Sequence, residues 1–209
     1  MQRRDGSGSA FLNMRASSCA VLAAAVISFA AYRFANGSET LTSWRFSQEL
    51  TLGKQIAPVP LNVAGKNPDI VYLGSYVVNA IGGCNDCHTC PSYKGINPFQ
   101  TGGGALGPVN TPGPVNAANY LAGGTRFGPV IASNLTPDST GLPGGMTYDQ
   151  FLNAMQNGAD RTHPGRVLQV MPWPHLRSLS VGDLSAVYTY LQALPPAQPG
   201  TCTGSGGTQ

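Results

Sequence analysis

The chain has 209 residues, enough for one domain or for one domain with a targeting segment and an arm. Only 10% of it is charged, against about 25% in ordinary domains, while 42% is apolar and glycine and proline supply 27 and 17 positions. That balance excludes charge-rich disorder, a nucleic-acid binder with clustered cations and a bundle of spanning helices, and it leaves a formal charge of +3 whose location matters more than its size.

Arg3, Arg4 and Arg15 precede an uncharged run from Ala16 to Tyr32 that ends at Arg33. A positive flank before an apolar run of this kind predicts an export signal over residues 1–35, and hence a periplasmic protein. The same run is long enough to serve instead as a membrane anchor over residues 16–32. Ala30, Ala31 and Ala35 supply small residues for cleavage. Setting residues 1–35 aside leaves eight basic and eight acidic residues, so the exported part is formally neutral.

Residues 36–66 lack sustained periodicity and contain Pro58 and Pro60, which predicts an arm with little regular structure, pinned to the domain by Trp44 and Phe46. Asn67 as N-cap and Pro68 at the first helical position open a helix that Gly82 and Gly83 stop. Its apolar face is expected to carry Ile70, Leu73, Tyr76, Val77 and Ala80. Gly74 lies mid-helix, at a cost of about 1 kcal/mol relative to Ala, which points to close approach by another helix. A Gly/Pro/Asn-rich stretch from Pro91 to Gly145 follows, with a short strand expected somewhere in residues 128–136. Thr147-x-x-Gln150 and Ser180-x-x-Asp183 then open two further helices, ended by Gly158 and by Pro195-Pro196. Tyr148, Phe151, Leu152 and Met155 form the apolar face of one, and Leu184, Val187, Tyr188 and Leu191 that of the other. The domain therefore spans residues 67–196, and the tail 197–209 reads as polar and loose apart from Cys202.

The decisive motif is Cys84-Asn85-Asp86-Cys87-His88, directly after the first helix. A C-x-x-C-H run is the attachment signature of c-type haem. Its two thiols can form thioethers with one porphyrin and its histidine can ligate the iron. One such motif means one haem. Two other chemistries use the same residues: a Cys84–Cys87 redox disulfide, which wants a strand–helix context, and a zinc site from Cys84, Cys87, Cys90 and His88, which wants a second distant pair.

A low-spin carrier needs a sixth ligand, and methionine in that place raises the potential. Met146, Met155 and Met171 are the candidates. Met155 lies on an apolar helix face and Met146 directly before a cap. Met171 sits between Val167 and Leu176 in a segment that Pro172 and Pro174 are expected to keep extended, and it is the ligand expected here. His163 and His175 are the alternatives. Tyr76, Phe127, Ile131, Leu135, Phe151 and Leu168 are expected to line the pocket. Cys90 and Cys202 remain as an even pair in an oxidising compartment, which predicts a disulfide.

The order helix, CxxCH, long loop, MPW and C-terminal helix resembles class I cytochrome c. More narrowly, the segments GKNPDIVYLGSYVVNAIGGCNDCHT, ASNLTPDSTGL, MPWPHL and DLSAVYTYLQALPP resemble single-haem bacterial domains similar to those of periplasmic alcohol-dehydrogenase cytochrome subunits. The resemblance runs from about Gly65 to Pro196. It implies an all-α class I cytochrome c fold, with three to four helices around one covalent haem. It also implies thioethers at Cys84 and Cys87, His88 and Met171 as axial ligands, and crossing first and last helices with Gly74 against Val187–Leu191. The related domains often carry tryptophan where this chain has Met146, and the related subunits commonly hold several haem domains where this chain has one.

The function expected from these features is periplasmic single-electron transfer in a respiratory chain, with a dehydrogenase, an oxidase or another cytochrome as partner and no nucleic acid. The alternatives are a cytochrome subunit of a periplasmic dehydrogenase, with Trp44–Gly65 as docking arm or tether, and a haem enzyme such as a peroxidase.

Overall fold

The structure is a computed structural model that describes residues 42–200 and Cys202. Residues 1–41, which include the expected export signal, and the rest of the tail lie outside the described residues. The chain divides into two compact units, Met1–Ser47 and Gln48–Gln209. In the first, residues 42–47 are helical, with Trp44 and Phe46 exposed. The second holds the Cys84–His88 motif and every described helix that surrounds it.

Residues 48–55 form a helix, α1, where the sequence pattern predicts little regular structure. Tertiary packing supplies what periodicity lacks. Gly53 is buried so close to the next helix that a Cβ there would run into the Tyr72 carbonyl. The Gly53 carbonyl accepts the Ser75 hydroxyl at 2.7 Å, and the Lys54 ammonium sits 5.6 Å from the centre of the Tyr72 ring. Pro58 and Pro60 follow the helix, and Val59, Leu61 and Val63 pack onto the core.

Helix α2 spans Pro68–Tyr76, with the Asn67 side chain accepting from the Asp69 amide at 2.9 Å. It runs directly into a π-helical turn, Val77–Ile81, whose wider pitch lets the Gly82 amide reach the Val77 carbonyl at 2.7 Å. The buried stripe is Val71, Gly74, Ser75, Val77 and Val78. Ile70 and Ala80, expected to face inward, lie away from it, Ile70 exposed and Ala80 outside the fully buried set. The stripe differs for two reasons: close approach selects the face that carries Gly74, and the π turn shifts the period by one residue.

That approach is to α6, Val181–Ala193. A Cβ on Gly74 would collide with the Ala186 carbonyl and reach within 2.6 Å of the Tyr190 Cβ. Helix α6 is buried on more than its expected face, since Ala186, Tyr190 and Ala193 are covered along with Leu184, Val187, Tyr188 and Leu191. Helix α4, Tyr148–Asn157, has a complete Thr147/Gln150 capping box and ends on Gly158 in the left-handed region. Its Phe151 ring meets Tyr188 of α6 at a centroid distance of 5.4 Å.

Between these helices lie two short ones, α3 at Cys84–His88 and α5 at Trp173–Leu176, a 3-10 turn at Ala117–Asn119 and a hairpin. The hairpin pairs β1, Arg126–Phe127, with β2, Val130–Ile131, in antiparallel register around Gly128. Among the described residues the fold is therefore helical, as expected, with one small sheet and more helices than the three to four anticipated. Helix α5 replaces the extended geometry expected after Met171, because Pro174 occupies an early helical position where its missing N–H costs nothing. Residues 197–200, expected to be loose, are hydrogen-bonded to the domain.

Candidate functional site

Gly83 adopts φ 56°, a left-handed conformation that breaks the π turn and starts α3 in a new direction. Spacings of three and four residues then bring Cys84, Cys87 and His88 to one face of that short helix. All three side chains line a single cavity of about 220 Å³. Neither Cys84 nor Cys87 is in a disulfide. Burial pushes the Cys84 thiol up to about 11, with Cys87 beside it adding to the rise. Burial also raises Cys87, so both groups are protonated thiols at neutral pH.

His88 is oriented by the backbone. Its Nδ1 lies 2.8 Å from the Ser133 carbonyl; a carbonyl only accepts, so Nδ1 carries the proton and Nε2 keeps the free lone pair. Burial holds the imidazole below its usual range, against the opposing effect of that bond. A neutral imidazole with a fixed tautomer is the form that ligates a metal.

The walls are mainly apolar. Phe127, Ile131, Leu135, Phe151 and Leu168 line the cavity as expected from sequence, whereas Tyr76 does not. Met171 lies on the wall and is half-buried. Met146 and Met155 lie on it too, so the fold gathers all three candidate thioethers around one space. His163 and His175 are exposed and stand outside the lining; His163 is engaged with Asp160 at 3.1 Å. Asp160 and Arg161 contribute the charged lining. The Arg161 guanidinium donates to the carbonyls of Gly144 at 2.9 Å and Gly145 at 3.3 Å.

These donors fit a c-type haem: paired thiols three residues apart, an imidazole with Nε2 free and an apolar enclosure with further sulfur on its wall. A zinc set that includes Cys90 does not fit, because Cys90 is bonded to Cys202, the pairing expected from cysteine parity.

Two contributors have roles that the sequence does not show. Ser133 acts through its backbone carbonyl, so any residue type could stand there. Trp173 donates from its indole nitrogen to the Leu168 carbonyl at 3.2 Å and lays its ring against Gly158, which ties the Met171 segment to the end of α4. The MPW run is a visible signal for Trp173, but not for its packing partner.

No protein-family model matches the chain. Curated relatives do. The chain is 31% identical over 124 residues to a protein of Pantoea cypripedii named gluconate 2-dehydrogenase cytochrome c subunit, a match covering 59% of this chain and 23% of that protein. It is 32% identical over 147 residues to a protein of Pseudomonas putida named as a subunit of nicotinate dehydrogenase, covering 69% of this chain and 10% of that protein. The chain thus spans about a quarter and a tenth of the lengths of these two relatives. Among the described residues no helix is long and apolar enough to cross a membrane.

Proposed function

We propose that this chain is a c-type cytochrome of class I, acting in the periplasm as the electron-transfer subunit of a dehydrogenase. The observation that carries the reading is the convergence of Cys84, Cys87 and His88 on one apolar cavity, with the His88 tautomer set by Ser133. The similarity to a dehydrogenase's cytochrome c subunit supports a subunit in preference to a free-standing carrier, the first expectation from sequence.

When bound, the haem supplies reversible one-electron chemistry at its iron. The protein's part is holding and enclosing. Cys84 and Cys87 would carry the thioethers, and His88 Nε2 and Met171 would be the residues that hold the iron. Support for Met171 over its rivals comes from its setting. Met155 is 6% exposed on the buried face of α4, where packing already accounts for it. The Met171 carbonyl accepts the Trp173 amide at 2.8 Å, and the Trp173 indole anchors the same segment at Leu168, so the thioether stands on a braced loop. Phe127, Leu135, Phe151 and Leu168 would exclude water from the ring, and Arg161 would meet its carboxylates at the exposed rim.

Expression of the full chain with haem maturation, followed by denaturing electrophoresis with haem stain and a pyridine haemochrome spectrum, tests the reading. One covalently held haem is expected, lost on Cys87→Ser combined with Cys84→Ser. A haem-free product from cells that mature other c-type cytochromes would refute it. A red-end sulfur-to-iron band in the oxidised protein should vanish in Met171→Ala and persist in Met146→Ala. Co-purification with a larger dehydrogenase tests the subunit assignment.

A further inference from the structure

The tail residues 197–200 and Cys202 make a set of bonds that the proposed function does not use, and these bonds converge on His88 from two sides. On the side-chain side, the Asn134 amide donates to the Ala197 carbonyl at 2.8 Å. The Ala197 amide donates to the Thr136 hydroxyl at 3.0 Å, which in turn donates to Asn134 Oδ1 at 2.8 Å. Asn134 follows Ser133, the residue whose carbonyl holds His88 Nδ1.

On the backbone side, the Gly200 amide donates to the Ala122 carbonyl at 2.9 Å, and the Gly123 amide donates to the His88 carbonyl at 2.7 Å. Gly200 is buried so tightly that a Cβ on Gly124 would run into its carbonyl. The strap is then bolted by the disulfide from Cys202 to Cys90, two residues after His88.

We infer that the C-terminal strap, fastened by Cys90–Cys202, is the positioning device for the proximal histidine, with Asn134, Thr136 and Cys202 as positioning residues. The strap holds the Ser133 carbonyl on Nδ1 while fixing the backbone that carries the ring. A hydrogen bond at Nδ1 makes imidazole a stronger donor through Nε2, and a stronger donor favours the oxidised iron. Loosening the strap therefore raises the midpoint potential and weakens the histidine's hold. The inference rests on the haem reading, and its test separates the two.

The experiment uses the full-length haem protein and four variants, Cys202→Ser, Asn134→Ala, Thr136→Val and Thr136→Ser, with Gly74→Ala as a variant destabilised at a distance. Haem content is measured first, by pyridine haemochrome. The midpoint potential and the exchange rate of the His88 Nδ1 proton with solvent in the reduced protein are measured next. Cys202→Ser, Asn134→Ala and Thr136→Val should raise the potential and speed that exchange by about 10-fold, because the Ser133 carbonyl no longer holds the proton. Thr136→Ser, which keeps the hydroxyl, and Gly74→Ala should match the unaltered protein. Full haem content with unmoved potential and exchange rate in Cys202→Ser and Thr136→Val overturns the strap alone, as does an equal shift in Gly74→Ala. Absence of covalent haem from the unaltered chain overturns the haem reading and the strap with it. Should Cys202→Ser fail to mature, the Thr136 pair decides, since Thr136→Val removes the hydroxyl that the strap uses and Thr136→Ser retains it.

Discussion

Gly158 closes α4 at φ 68° and accepts the Trp173 ring where a Cβ would stand. Its carbonyl also takes the Leu168 amide at 2.7 Å. Alanine here meets both a left-handed backbone and an aromatic ring, so Gly158→Ala should lower stability by about 2 kcal/mol, read from the urea midpoint. The damage should be local to the Met171 segment, visible as faster hydrogen exchange at Leu168. Glycine at a helix end is legible as a stop signal; its second use, as a seat for a tryptophan from the Met171 segment, is not. A residue pattern records local conformation, whereas the ring's arrival depends on how the intervening loop folds back. The same limit hides Asn79, which accepts from Tyr120 Oη and donates to the Ser75 carbonyl at 2.9 Å. Tyr120 and Tyr190 place their hydroxyls 2.9 Å apart in the interior. Burial holds Tyr120 well above 10, with Tyr190 adding to the rise. Below pH 10 the tyrosine is protonated in both folded and unfolded chains, so its contribution is constant. Above that, the unfolded chain releases the proton and the folded one does not, and stability falls. A urea titration repeated from about pH 9 to 12 should show this loss beginning near the ordinary tyrosine value of about 10. Tyr120→Phe should lessen the slope without abolishing it, because burial also raises Tyr190, while costing about 1–2 kcal/mol at neutral pH through the orphaned Asn79 oxygen.

At the scale of elements, helix ends are the readable part. Asn67, Thr147 and Ser180 all cap as expected, each with its side chain accepting from the second or third amide, because capping is decided within a single turn. Three features depend on distant partners and escape the local pattern: α1, the buried stripe of α2 and the bonded tail. The stripe shows the reason most clearly. The pattern marks Gly74 correctly as a crossing point, yet it also sets Ile70 and Ala80 on the same face through a regular period that the π turn does not keep. The crossing itself gives a sharp prediction. An alanine at Gly74 gains about 1 kcal/mol of helix propensity, but its methyl lands on the Ala186 carbonyl and the Tyr190 side chain. Overpacking against backbone costs about 1–3 kcal/mol, and the carbonyl cannot move without parting α2 from α6. Gly74→Ala should therefore be destabilising on balance, with a lower denaturation midpoint and unchanged haem content.

At the largest scale, charge among the described residues is nearly balanced. The described residues carry eight Lys and Arg and seven Asp and Glu, and around the cavity Arg161 is matched by Asp160. Porphyrin carboxylates would add negative charge at the rim, part of which Arg161 would offset. A transient redox contact buries under about 1,200 Å², and here it would rest on apolar side chains exposed by the cavity, Ile131 and Val170 among them. Steering by long-range charge fades once the Debye length falls to about 10 Å at 0.1 M salt, and the described residues, with so small a net charge, have little steering to lose. Oxidation of the reduced haem protein by an anionic and by a cationic small-molecule oxidant of similar potential separates local from overall charge. Both rates should change by less than about two-fold between low and moderate ionic strength once the oxidants' own charges are allowed for. A steep fall with one oxidant and a steep rise with the other would reveal a charged face at the haem edge. Arg161→Gln should then tilt the pair, slowing the anionic oxidant relative to the cationic one, because Arg161 is the basic side chain that lines the cavity beside His88.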